Sequence, residues 1–219
     1  MMKKSVYSLV LMDDVVDAID RMAYSMNTSR SNLINQILAE RVSFVTPEMR
    51  MRDIFSRIEK LMDSRFQMLE QPSEAMMSVK SPLKYKYKPT IKYSVELFRS
   101  FEGGVGRLKV SFRTQSRHFI DILNQFFILW HVLENEYLES VYRDGVPWEL
   151  RDINFTRDFY APNPEKLTDD DIAKAIGSYI VLLDECIKIF FERINNIESA
   201  KRIIEDKYRE HLKKGLVIV

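Results

Sequence analysis

The sequence predicts an α+β fold, mostly helical, and three observations carry that expectation. Apolar residues recur at three- and four-residue steps through most of the chain. Two runs near the middle alternate with period two on either side of a glycine-rich turn. Only 6 Gly and 7 Pro interrupt 219 residues that are 46% hydrophobic and 30% charged, the composition of an ordered globular protein. The punctuation divides the chain into a strand–helix–turn–helix unit over 1–46, a helical connector over 47–80 and an α+β domain over 81–219. Within the last, a hairpin is expected near 90–114 and helices near 115–142, 168–194 and 197–214.

The elements follow in order. Val6 to Leu11 lacks Gly and Pro and reads as a short strand. Asp13 and Asp14 supply an N-cap and a negative first turn for a helix whose apolar set is Val16, Ile19, Met22, Ala23 and Met26. Asn27 tolerates the left-handed conformation that ends a helix, and Ser29 caps a second one carrying Leu33, Ile34, Ile37, Leu38 and Val42. One strand and two short helices bury too little to offset chain entropy, so a second copy must supply the missing strand and core. Residues 1–46 are therefore expected to dimerise.

Pro47 breaks the chain, and Glu48 to Gln71 reads as one charged amphipathic helix. Pro72 to Pro89 reads as irregular, with Lys84-Tyr-Lys-Tyr-Lys88 as a strand or an extended arm. Ile91, Tyr93, Val95 and Leu97, then Leu108, Val110 and Phe112, alternate about Gly103 to Gly106 and predict the hairpin. Gln115 to Tyr142 has the broad apolar face of a buried helix, with Phe119, Leu123, Phe126, Trp130, Leu133 and Tyr137. Residues 143–167 hold Gly145, Pro147, Pro162 and Pro164 and read as a long connection. Thr168 with Asp169 to Asp171 starts the next helix, and Asn195-Asn196 precedes the last. Leu216 to Val219 is a short strand or a docking segment.

Several function classes are excluded at this level. A lone Cys186 allows no disulfide within the chain and fits a reducing cytoplasm. Phe119 to Leu133 is interrupted by Asp121, Asn124, Gln125 and His131, too short and too polar to span a bilayer, and the first residues do not form a signal peptide. His118, His131 and His211 match no ligand spacing, so no metal or cofactor is expected. No set of residues converges on catalysis, and the chain is read as a non-enzyme.

Charge is uneven beneath the net +1. Residues 81–117 hold nine basic against two acidic side chains, a net +7, whereas 118–219 hold thirteen against nineteen, a net −6. Lys92, Arg107, Lys109 and Arg113 share one hairpin face and form a secondary basic surface. The acidic segment is present in every copy, so docking of this face against 118–219 is slightly preferred to contact with nucleic acid.

The first forty residues resemble the ribbon-helix-helix family of DNA-binding dimers, such as the Arc, MetJ and CopG repressors. The residues that carry the likeness are Ser-Val-Tyr-Ser-Leu-Val-Leu at 5–11, Asp13-Asp14-Val15-Val16, Ile19, Arg21-Met22-Ala23, and Thr28 to Ile34. The resemblance implies that two strands pair antiparallel across a dimer axis and enter the major groove. Tyr7, Leu9 and Leu11 would point inward, and Val6, Ser8 and Val10 would point at bases. Ser29, Arg30 and Ser31 would meet a phosphate at a helix start, with Lys3 and Lys4 on flanking phosphates. Two of the three base-facing residues are Val, which can touch a thymine methyl but cannot hydrogen-bond, so weak base discrimination follows.

The expected function is thus double-stranded DNA binding by a cytoplasmic homodimer, as a repressor-like transcriptional regulator or a plasmid or mobile-element protein. The C-terminal domain would serve higher oligomerisation, effector sensing or partner binding, with the effector or protein partner unspecified. The alternatives are the antitoxin of a toxin–antitoxin pair and a non-DNA protein that uses the unit only to dimerise.

Overall fold

The computed structural model describes residues 6–69, 73–86, 88–101, 104–142, 144–151 and 153–215. The fold is α+β, with 52% of the described residues helical and one six-stranded antiparallel sheet. The helices are α1 (Asp13–Ser25), α2 (Arg30–Arg41), α3 (Pro47–Leu61), α4 (Arg117–Leu138), α5 (Asp169–Glu192) and α6 (Ile197–Leu212). The strands are β1 (Gln67–Met68), β2 (Met76–Pro82), β3 (Thr90–Leu97), β4 (Gly106–Phe112), β5 (Trp148–Arg151) and β6 (Asn154–Phe159), in the spatial order β1-β2-β3-β4-β6-β5.

Local chemistry explains the boundaries. Thr46 caps α3, its side chain accepting from the Met49 amide at 3.2 Å, with Pro47 at the first helical position. Thr168 and Asp171 form a complete capping box on α5. Gly106 lies at the β4 start where a Cβ would come 2.5 Å from the Glu96 carbonyl oxygen, so only glycine lets the hairpin close at Leu97.

The sheet is two-faced. Ile91, Tyr93, Val95, Leu108, Val110, Phe112, Phe155 and Phe159 point to one side and are buried with side chains of α3, α4, α5 and α6. Phe127 of α4 stacks on Phe155 of β6 at 4.5 Å, and Trp130 meets Tyr208 of α6 edge-on at 5.3 Å. The opposite side is largely polar, the cross-strand rows being set by Lys92 opposite Ser111, Ser94 opposite Lys109 and Glu96 opposite Arg107.

The structure corrects several expectations. Residues 47–80 are not a bare connector: Met51, Ile54, Phe55 and Ile58 of α3 and Met77 and Val79 of β2 belong to the same core as the later helices. The helix expected over Glu48 to Gln71 stops at Leu61, where Asp63 accepts from the Arg65 amide and turns the chain into β1. Within the stretch read as irregular, Met76–Pro82 is β2, and within the connection 143–167 lie β5 and β6. Lys84 to Lys86 is a bend and turn rather than a strand, and Lys88 has a φ of 44°; Tyr87 lies outside the described residues. Asp13 and Asp14 sit in the first turn of α1, behind Met12 as cap. Val6 to Leu11, expected as a strand, carries no regular secondary structure and pairs with no strand among the described residues, so its backbone ladder groups find no partner there. Leu216 to Val219 lie outside the described residues.

Candidate nucleic-acid interface

Residues 6–45 form a thin layer on the body. Ala23, Leu33 and Ala39 are buried where α1 and α2 pack, but none belongs to the main core. The turn between the helices is local chemistry: Asn27 takes a φ of 50°, and the Ser29 side chain accepts from the Asn32 amide at 3.2 Å. A polar clamp holds α2 to the body. Gln36 Nε2 donates to Glu74 Oε1 at 2.6 Å, while Arg52 Nη2 donates to Gln36 Oε1 at 2.8 Å and to Glu74 Oε1 at 2.9 Å.

The surface of this layer is unusually apolar. Among the described residues, 19 large hydrophobic side chains are exposed, and all but Leu61, Ile128, Val132 and Tyr160 fall within 6–45. Along residues 6–11, Val6 and Val10 stand fully in solvent, and Leu9 at 58% and Leu11 at 40% are the less exposed, whereas Tyr7, expected to point inward with them, is 84% exposed. Ser8 is also exposed.

The residues singled out for phosphate contact meet different fates. Lys3 and Lys4 lie outside the described residues. Ser29 spends its hydroxyl oxygen on its own helix. Arg30 is not a free cation, because it forms a bidentate ion pair with Asp20 of α1 and holds that carboxyl below its ordinary value. Ser31 is exposed at the helix start.

The secondary basic surface also divides. Arg107 pairs with Asp158, its cross-strand neighbour on β6, Nε to Oδ1 at 2.5 Å and Nη2 to Oδ2 at 2.9 Å. Lys92, Lys109 and Arg113 make no ion pair among the described residues. Lys80 of β2 stands directly opposite Lys92 and joins their face. Sequence reasoning missed Lys80 because it missed β2.

No family model, curated protein or solved structure matches this chain.

Other polar groups are built into the core. Arg157 Nε lies 2.8 Å from Glu134 Oε1, Tyr179 Oη donates to the same oxygen at 2.9 Å, and Trp130 Nε1 donates to Tyr179 Oη at 2.9 Å. Burial pushes the Glu134 carboxyl up against the pull of Arg157. A second set links Tyr93 Oη to Asp184 Oδ1 at 3.0 Å and Lys188 Nζ to Asp184 Oδ2 at 2.6 Å. Glu134, Arg157 and Asp184 are sealed from solvent, so these networks fix packing rather than meet a substrate. Burial raises the Cys186 thiol to about 12, which leaves it protonated and inert. His131 stacks on Trp148 at 4.2 Å and shares a 2.9 Å hydrogen bond with Asn135. Among the described residues no group of three His, Cys, Asp or Glu is placed to hold a metal ion, and no helix is long and apolar enough to cross a membrane.

Proposed function

We propose that the protein binds double-stranded DNA as a homodimer whose two N-terminal segments pair as a ribbon, in the manner of the ribbon-helix-helix family, and that it acts as a repressor-like regulator or a plasmid-type DNA-binding protein. The single observation that carries this reading is the concentration of exposed apolar side chains in residues 6–45, whose first residues pair with no strand among the described residues. Such a surface is expected of an element that is half of a symmetric unit. The lower exposure of Leu9 and Leu11 than of Val6 and Val10 supports a register with Leu9 and Leu11 towards the dimer core and Val6, Ser8 and Val10 towards the groove.

The antitoxin reading ranks lower, because the packed body from Met51 to Tyr208 is unlike a short or disordered toxin-holding tail. The non-enzyme reading is kept, and the proposed setting is the cytoplasm. The test is a gel shift of Ser8→Glu beside the parent chain. The anionic side chain on the groove face repels phosphates from both halves of a dimer and leaves Leu9 and Leu11 intact. Collapse of binding with normal circular dichroism is the expected outcome, and unchanged affinity removes the ribbon from the DNA interface.

A further inference from the structure

We infer that the open face of the sheet is a second DNA contact, gripping the phosphate backbone of a duplex through Lys80, Lys92 and Lys109. This rests on the reading of the protein as a DNA binder and adds a surface that the ribbon does not include.

The register brings the three lysines together. Lys80 and Lys92 are directly opposed across β2 and β3, and Lys109 is the diagonal neighbour of Lys92 because Lys92 faces Ser111 and Ser94 faces Lys109. Directly opposed Cβ atoms lie about 5 Å apart and diagonal ones about 7–8 Å, so three ammonium groups share one patch. Like charges in opposed positions destabilise a sheet, and none of the three makes an ion pair among the described residues. Of the acids on the same face, Asp158 pairs with Arg107 and Glu149 with Arg151, while Glu96 stands opposite Arg107. Across the strands of this face the basic Lys80, Lys92, Arg107, Lys109 and Arg151 outnumber the acidic Glu96, Glu149 and Asp158, so its net charge is cationic.

The rest of the face selects the partner. The outward residues of β3, β4, β5 and β6 include Ser94, Ser111, Asn154 and Thr156, and not one of them is apolar. A protein partner, including a second copy of this chain, needs an apolar centre to its interface, and the apolar residues on this face, Met76 and Pro82, sit apart at the two ends of β2. A single-stranded nucleic acid needs aromatic rings on which bases stack, and none points outward here. Lysines interspersed with hydroxyl and amide side chains are what a duplex backbone takes, as point charges and hydrogen-bond donors to phosphate oxygens.

The test is a salt titration of full-length chain on random-sequence duplex DNA, comparing the parent, the triple variant Lys80→Gln/Lys92→Gln/Lys109→Gln and Ser8→Glu. Each phosphate contact contributes about 0.9 to the slope of log affinity against log salt, so the triple variant is expected to flatten it by up to about 2.7 per chain. Its melting temperature should be unchanged or higher, since the substitution removes Lys80–Lys92 repulsion, and its sedimentation should match the parent. An unchanged slope overturns the inference, and a loss of assembly in the triple variant overturns it in favour of a contact between copies. Loss of affinity in Ser8→Glu with an unchanged triple-variant slope sinks the sheet face alone. A flattened slope with Ser8→Glu silent sinks the ribbon alone, and a parent chain without duplex affinity sinks both.

Discussion

Arg157 and Glu134 form an ion pair sealed inside the protein, Arg157 on β6 and Glu134 on α4. The guanidinium also lies over the rings of Tyr179, at 4.8 Å, and Phe159, at 5.4 Å. The pair joins sheet to helix at the centre of the fold.

Breaking it should be costly in a way that a surface pair is not. Glu134→Gln leaves a buried guanidinium uncompensated and is expected to lower stability by about 3–5 kcal/mol. Arg107→Gln removes the half-exposed pair with Asp158 and should cost less than about 1 kcal/mol. Urea unfolding midpoints of the two variants measure the contrast, and equal losses would mean that the buried pair is not the junction described.

His211 gives stability an acid limb. Its ring is 3% exposed, and burial, with the nearby Lys214 charge, lowers its pKa to about 4. The folded state thus holds it neutral while the unfolded chain takes up a proton near the ordinary 6.5. Stability from this group is full above that value and falls as pH drops from 6.5 towards 4, by no more than about 3 kcal/mol. His211→Leu should reduce the loss between pH 7 and pH 5 in urea midpoints, leaving the part due to His131, whose pKa burial also lowers, and an identical loss in the variant assigns it to other groups.

The N-terminal layer is expected to hold the assembly together. Leu9→Asp/Leu11→Asp places four carboxylates in the proposed dimer core and should give monomers by sedimentation velocity with little change in circular dichroism, because neither residue belongs to the body's core. Dimers that persist would place the subunit interface elsewhere.

Legibility in the sequence followed local chemistry. The α5 start is readable because Thr168 and Asp171 cap each other, the α1–α2 turn because Asn27 accepts a left-handed backbone, and the β3–β4 hairpin because its apolar residues alternate without exception. Strand β6 is hidden because its inward series, Phe155, Arg157 and Phe159, puts a charge where the pattern calls for an apolar residue, and only the distant Glu134 explains it. Strand β2 is hidden likewise: Ser81 faces inward and is satisfied by Lys188 of α5 at 2.7 Å. Of the site residues, the Ser29 cap of α2 is legible, but the Arg30–Asp20 pair and the placement of Lys80 beside Lys92 depend on tertiary contacts.

Duplex DNA binding by a two-fold ribbon dimer is the claim on which the rest depends. The most direct measurement is selection of bound fragments from random duplex DNA by the full-length chain. The expected result is retention of DNA enriched in paired half-sites related by two-fold symmetry, with thymine within the positions that Val6 and Val10 would touch. Failure to retain duplex DNA at low salt would contradict the claim and leave the N-terminal layer as a dimerisation clasp.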